Sequence, residues 1–219
     1  MRIAALADIH SNLPALEAVF EAMPPVDTVL CVGDIVGYYP WPAEALEQIR
    51  DRNIPCVQGN HDRAVAQESS FRFNSMAKAG VDLALNQLSD EQRDWLAGLP
   101  QYRHVHDGRI AMVHGHPADP DRYTYPDAFH SDLLGEEELL LLGHTHIQHA
   151  AVVEGGIIVN PGSVGQPRDG DPRASFSVID LESHTVDERR VDYNIERVIR
   201  EVSAKGLPEE LGTRLRMGQ

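Results

Sequence analysis

Short apolar runs recur along the chain, and several end abruptly in Asp, His or Asn. The first, Ile3 to Ala7, stops at Asp8. The segment "SNLPALEAVFEAM" follows, with Leu13, Leu16, Phe20 and Met23 at helical spacing, Asn12 placed to cap and Pro14 suited to a first turn. "VDTVLCVGD" reads as a second buried strand, "WPAEALEQIRDR" as a second helix and "IPCVQGN" as a third strand. The order β-α-β-α-β favours a parallel sheet with helices packed on it. A helical, loop-rich middle comes next, where "SDEQRDWLAGLP" has a cap at Ser89 and a Gly-Leu-Pro stop. Further strand-like runs follow in "RIAMVHG", "LLLLGH", "HAAVVE", "GIIVNPG", "ASFSVIDL" and "HTVDERRVDY". Short turns separate most of them, so the later half is expected to be more antiparallel. The tail "KGLPEELGTRLRMGQ" reads as a short or frayed helix.

Composition narrows the classes. The chain has 219 residues, 42% hydrophobic and 24% charged, enough for a real core in one domain spanning 1–219. No apolar stretch approaches the ~20 residues that span a bilayer, and the N-terminus lacks a signal-peptide pattern. Cys31 and Cys56 sit in apolar runs and read as buried reduced thiols, which fits a cytoplasmic protein. The formal net charge of −15 disfavours a broad grip on long nucleic acid, which needs a basic face. Anionic substrates are compatible with that charge, because a bound cation can reverse the sign of a site.

The candidate chemistry lies at the ends of the apolar runs. "ADIH" carries Asp8 and His10, "GDIVG" carries Asp34, and "GNHD" carries Asn60, His61 and Asp62; "VHGH" carries His114, and "GHTH" carries His144 and His146. In open α/β sheets, ligands bind beyond the carboxyl ends of strands. If the chain is extended there, residues two apart point to one side, so Asp8 with His10 and His144 with His146 would converge. Gly33, Gly59, Gly115 and Gly143 stand beside these residues, where the chain must turn or approach an ion closely. Taken as a ligand set, Asp8, His10, Asp34, Asn60, His114, His144 and His146 contain only two anions, so two divalent cations would leave positive charge for a phosphate. Mixed imidazole and oxygen ligands point to manganese, iron, cobalt, nickel or zinc rather than calcium or magnesium.

These five motifs, in this order, resemble the calcineurin-like metallophosphoesterase superfamily. The turn "NPGSVGQPR" at 160–168 resembles its small YfcE-like branch. The resemblance implies a four-layer α/β/β/α sandwich of two mixed sheets flanked by helices. It also implies a phosphodiesterase or phosphatase with two divalent transition-metal ions, manganese foremost. Asp34 would bridge the ions; Asp8, His10 and His146 would complete one site, and Asn60, His114 and His144 the other. His61 would donate a hydrogen bond or proton to the substrate, and Asp62 would orient it. Gly37 stands where many relatives carry Asp, and His116 where small members often carry Ser.

Other residues keep two readings. Arg168 either binds a substrate phosphate or pairs with Asp169 or Asp171. Tyr123 and Tyr125, on the long Pro- and Asp-rich loop 116–138, either stack on a base or aryl leaving group or form a lid or oligomer contact. His104, His106, His130, His149 and His184 are expected to lie outside the site. The expected partner is a small phosphate ester, and a homodimer or larger assembly stays open. The alternatives in function are a catalytically silent scaffold of the same fold and a nuclease or cyclic-nucleotide phosphodiesterase.

Overall fold

The computed structural model describes residues 1–70 and 73–219. Nine strands form two sheets among the described residues. The first sheet has the order β2-β1-β8-β9, built from β1 (Arg2–Leu6), β2 (Thr28–Cys31), β8 (Ala174–Asp180) and β9 (Thr185–Val191). The second has the order β3-β4-β5-β7-β6, built from β3 (Tyr102–Val105), β4 (Ile110–Val113), β5 (Leu139–Leu141), β6 (Gln148–Val153) and β7 (Gly156–Pro161). Both sheets are mixed. β1 runs parallel to β2 and antiparallel to β8. β4, β5 and β7 run parallel at the centre of the second sheet, and only its edges are antiparallel. The expectation of a more antiparallel later half holds for β3–β4, β6–β7, β8–β9 and the pairing of β8 with β1, and fails only at β4–β5 and β5–β7. The long 116–138 loop supplies the crossover that parallel β4 and β5 require.

Apolar alternation fixes the layers. Ile3, Ala5 and Ala7 face Ile110, Met112, Leu139, Leu141, Ile157 and Val159 of the opposing sheet. Leu6, Phe176 and Val178 point the other way, into a core made with helices α1 (Leu13–Ala22) and α2 (Pro42–Arg50) and their neighbours. Helices α3 (Asn60–Ala66), α4 (Ser75–Gln87) and α5 (Asp90–Ala97) extend that layer. The four-layer α/β/β/α plan is present with a thin fourth layer. Over the outer face of the second sheet, Phe129, Leu133 and Leu134 from two 3-10 turns cover Ala111, Leu140 and Ile158.

Local signals account for most elements. Asn12 accepts a hydrogen bond from Ala15 N and caps α1. Ser89 and Gln92 form a reciprocal capping box at α5. The expected third strand, "IPCVQGN", is reduced to a single parallel bridge between Cys31 and Cys56. Pro55 has no N–H to pair, and Asn60 already opens α3. Strand β3 escapes the apolar pattern because YRHV is mostly polar; a turn with His106 and Asp107 at φ 52° and 57° pairs it with β4. Helix α6 (Ile195–Ala204), capped by Asn194, also went unanticipated. The expected short C-terminal helix is α7 (Glu209–Thr213), continued by the 3-10 turn Arg214–Met217. No helix among the described residues is long and apolar enough to cross a membrane.

Candidate metal centre

The carboxyl ends of β1, β2, β4 and β5 meet at one end of the sandwich, and α3 starts beside them. This places Asp8, Asp34, His114, His144 and His146 within one buried shell with His10, Asn60 and His61. Ligand-type atoms of Asp8, His10 and His146 lie within 4.8 Å of one another, as do those of Asp34, His114 and His144 and those of His10, Asp34 and His61. His10 Nε2 is 3.1 Å from His146 Nε2 and 3.7 Å from Asp34 Oδ2. His114 Nε2 is 3.3 Å from Asp34 Oδ2, and His146 Nε2 is 3.4 Å from Asp8 Oδ1.

The backbone that achieves this is not extended. Asp8, His10, Asp34, His144 and His146 have φ of 53°, 49°, 52°, 68° and 60°. The convergence of residues two apart comes from left-handed turns, which corrects the expectation based on strand alternation. Asp and His tolerate this region better than most residues, but it still costs them strain. Cross-loop hydrogen bonds hold the turns. Asp8 N donates to Gly33 O, His10 N to Asp34 O and Gly143 N to His114 O at 3.0, 2.9 and 2.8 Å. Ser163 Oγ donates to Asp8 O at 2.7 Å, and Asn160 Nδ2 to Gly143 O at 2.7 Å. The "NPGS" turn is thereby a clamp on two ligand loops.

Each imidazole is oriented from behind. Nδ1 of His10, His114 and His146 faces the carbonyls of Val36, Val32 and Gln166 at 3.3, 2.7 and 2.6 Å, so Nε2 of each turns inward. His144 is reversed: its Nε2 meets Asp121 O at 3.1 Å, leaving Nδ1 for the cluster. The second carboxylate oxygens are used as well. Asp8 Oδ2 accepts from His144 N at 3.0 Å and Asp34 Oδ1 from His61 N at 2.8 Å.

Buried polar atoms are nearly always paired. Here Asp8 Oδ1, Asn60 Oδ1, His114 Nε2 and His61 Nδ1 are buried without a hydrogen-bond partner. Three of these are the free donor atoms of the proposed ligand set. Oxygen and neutral imidazole donors of this kind suit a divalent transition metal.

The electrostatics agree. Burial pulls His61 and His144 down to about 4, and holds His10 and His146 well below the usual histidine range, so all four are neutral near pH 7. Burial alone would raise Asp34, but His114 and His61 outweigh it and keep the carboxyl well below its usual range. Burial pushes Asp8 up to about 7. Burial also opposes charge on His114, yet Asp34 and Asp8 hold it up at about 10. The metal-free cluster therefore keeps protons where a cation would otherwise supply positive charge.

A cavity of about 740 Å³ opens from the cluster. Arg168 and Tyr123 line it, whereas His116 and Tyr125 are not among its lining residues. His116 Nδ1 instead accepts from Ala118 N at 3.0 Å within its own turn. Tyr125 stacks behind Tyr123 at 5.9 Å, and Tyr123 stacks on His144 at 4.0 Å. Arg168 pairs with neither Asp169 nor Asp171, which are taken by Arg190 and Arg173. It donates to Gln166 Oε1 and to the Tyr38 hydroxyl at 2.7 and 3.2 Å. Asp62 does not touch the His61 ring in any described hydrogen bond. Its oxygens accept from the backbone N–H of Ile35, Val36 and Gly59 at 2.9, 3.1 and 3.0 Å, binding two ligand loops together. His149 packs on Phe129 at the outer face, away from the cluster.

The sequence reading missed Tyr38, Phe73 and Asp121. The Tyr38 ring packs 4.8 Å from His10 and 4.7 Å from His61, and Phe73 lies 4.5 Å from His61. Tyr38 directly follows Gly37 in "GDIVGYY", which was the available signal.

The calcineurin-like phosphoesterase superfamily domain matches residues 1–184. The chain is 34% identical to the uncharacterized protein MJ0912 of Methanocaldococcus jannaschii, covering 99% of this chain and 98% of that one. It is 27% identical to phosphodiesterase YfcE of Escherichia coli K12, over 82% of this chain and 88% of the relative. The crystal structure of a metallophosphoesterase from Sphaerobacter thermophilus superposes with a TM-score of 0.86 at 36% identity, covering 100% of this chain and 99% of that one. This chain belongs to the calcineurin-like phosphoesterase superfamily.

Proposed function

We propose that the chain is a phosphodiesterase, with phosphomonoesters as a second substrate class, that holds two divalent transition-metal ions and acts on small phosphate esters. Manganese is the foremost candidate, ahead of iron, cobalt, nickel and zinc. The observation that carries the reading is the set of orphaned donors, Asp8 Oδ1, Asn60 Oδ1 and His114 Nε2, gathered in one buried shell. Asp8, His10 and His146 would hold one ion and Asn60, His114 and His144 the other, with Asp34 shared between them. The overlap of the two ligand groups around Asp34 Oδ2 supports this division.

A bound ion pair supplies an activated water and offsets charge on the phosphoryl oxygens. The protein supplies the rest. The backbone carbonyls behind His10, His114 and His146 fix their tautomers before any substrate arrives. His61, neutral and lining the cavity, donates a hydrogen bond through its protonated ring nitrogen to the departing oxygen. Arg168, braced by Gln166 and Tyr38, offers its guanidinium to a phosphoryl oxygen. Asp62 acts through the backbone, as a brace between the Asp34 loop and the start of α3. The buried thiols of Cys31 and Cys56 support a reducing, cytoplasmic setting.

The test pairs metal content with turnover. Purified protein loaded with manganese is expected to hydrolyse bis-p-nitrophenyl phosphate, to do so with p-nitrophenyl phosphate as the poorer or equal substrate, and to stop on chelation. Absence of metal-dependent hydrolysis of both esters would overturn the enzyme reading.

A further inference from the structure

Four of the proposed ligands are imidazoles, and three of them lean on the interior. The carbonyls behind His10, His114 and His146 belong to Val36, Val32 and Gln166, all fully buried. His144 leans on the surface instead. Its Nε2 meets the carbonyl of Asp121, an exposed residue of the 116–138 loop. The group behind a ligating histidine fixes its tautomer and ring orientation, so the aim of His144 depends on what holds Asp121.

The segment 115–124 is a compact turn with bonds of its own. Asp119 O accepts from His116 N and Arg122 N at 3.2 and 3.0 Å. Asp121 N donates to Asp119 Oδ1 at 3.0 Å, and Thr124 Oγ1 donates to Gly115 O at 3.0 Å. Among the described residues, only two hydrogen bonds leave this turn, and both belong to Asp121. Its carbonyl meets His144, and its carboxylate accepts from the guanidinium of Arg63.

Arg63 stands on a fixed base. It lies in α3, the helix that begins with Asn60 and His61. Arg63 N donates to Gly59 O at 3.0 Å, His61 N to Asp34 Oδ1 at 2.8 Å, and Gly59 N to Asp62 Oδ2 at 3.0 Å. The Arg63 side chain is 17% exposed and that of Asp121 is 51% exposed, and both line the cavity. The ion pair thus joins the helix that carries Asn60 and His61 to the turn that supports His144.

We propose that Arg63 is a positioning residue: through Asp121 it latches the 115–124 turn and holds the His144 ring with Nδ1 toward the cluster. Asp121 relays the hold, its carboxylate to Arg63 and its carbonyl to His144. The consequence for metal rests on the phosphoesterase reading, whereas the latch is a property of the metal-free chain. Losing the direct support of a ligand costs ~10–100-fold in metal affinity. A half-exposed ion pair shifts an equilibrium by about fivefold at most, so the effect of the latch is the smaller one. It is also sensitive to salt.

Nitrogen-15 NMR of the metal-free protein and calorimetry with manganese test it. Two-bond correlations should show His144 of the wild type as the Nε2–H tautomer, and Arg63→Gln should turn it into a mixture. Arg63→Glu and Asp121→Arg should each do the same and weaken one of the manganese sites by about threefold to fivefold. The double variant Arg63→Glu/Asp121→Arg, with the pair reversed, should recover both the tautomer and the affinity. Salt at about 1 M should weaken manganese binding of the wild type by a similar factor and leave Arg63→Gln nearly unchanged. An Arg63→Gln protein with the wild-type tautomer and affinity, or a double variant no better than either single one, overturns the proposal. A thermal melt of each variant verifies folding, and the salt series needs no variant to fold beyond Arg63→Gln. A tautomer mixture in Arg63→Gln beside a wild type that hydrolyses no phosphate ester would leave the latch standing and remove the phosphoesterase reading.

Discussion

A side chain on Gly37 would collide with Nδ1 of His61. Gly37 has φ of 104°, a conformation closed to other L-residues without strain. The two residues fit together because one lacks a Cβ, and His61 owes its place in the cavity to that gap.

Gly37→Ala should therefore displace His61 while leaving the proposed ligands in position. The expected outcome is a fall in kcat of at least tenfold, within the ~10²–10⁴ range that proton-transfer groups contribute. Metal content by elemental analysis should stay near the wild-type value. A variant with normal kcat would show that His61 does not need its present position.

Asp62 is expected to matter for stability before chemistry. Asp62→Ala removes the acceptors of three buried backbone N–H groups, and each unpaired group costs ~1–3 kcal/mol. Thermal unfolding should show a loss of several kcal/mol together with weaker metal retention. A catalytic defect in a protein of unchanged stability would instead restore the direct link to His61.

Metal affinity should fall on acidification. Binding requires Asp8 ionised and His114 neutral, while the metal-free protein holds them at about 7 and about 10. Near pH 8 the cation displaces the His114 proton, and below about pH 7 it must displace the Asp8 proton too. Calorimetry in buffers of different ionisation enthalpy should record proton release that grows as pH drops from 8 to 6.

The same His114 proton affects the metal-free fold. A histidine raised in the folded state stabilises it fully below its ordinary value of 6.5 and loses that contribution as pH rises toward 10. Stability of the chelated protein should decline between pH 7 and 9, and the metal-loaded protein should lack that portion of the slope. Denaturant midpoints across this range measure it.

Tyr123 covers His144 from the loop side. Tyr123→Ala should raise KM for aryl phosphate esters several-fold with a smaller change in kcat, because the ring lines the cavity and stacks on His144, a proposed ligand. Steady-state kinetics on bis-p-nitrophenyl phosphate separate the two parameters.

Most of the proposed ligand residues were legible because they follow short apolar runs, and such a run is readable from one sequence. Their geometry was not. Nothing in "DIH" or "HTH" announces left-handed backbone at Asp8, His10, His144 and His146; tertiary hydrogen bonds from Ser163 to Asp8 O, Asn160 to Gly143 O, His10 N to Asp34 O and Arg168 N to His146 O hold these turns. Asp62 looked like a partner of its neighbour His61, yet in a helix start its carboxylate reaches back to the loop of Ile35 and Val36. Arg168 kept two readings until the fold assigned both neighbouring aspartates to other arginines. Strand β3 and helix α6 were hidden for an ordinary reason: polar residues form much of both, so neither shows a continuous apolar run.

At the five left-handed residues of the proposed ligand set, metal binding and backbone ease pull in opposite directions. At each of them glycine would relieve the backbone and remove a proposed donor to the cluster. A copy of this chain released from selection for metal binding would drift toward glycine there and gain thermal resistance while keeping its outline. Screens that reward heat tolerance alone would therefore enrich inactive variants first at Asp8, His10, Asp34, His144 and His146.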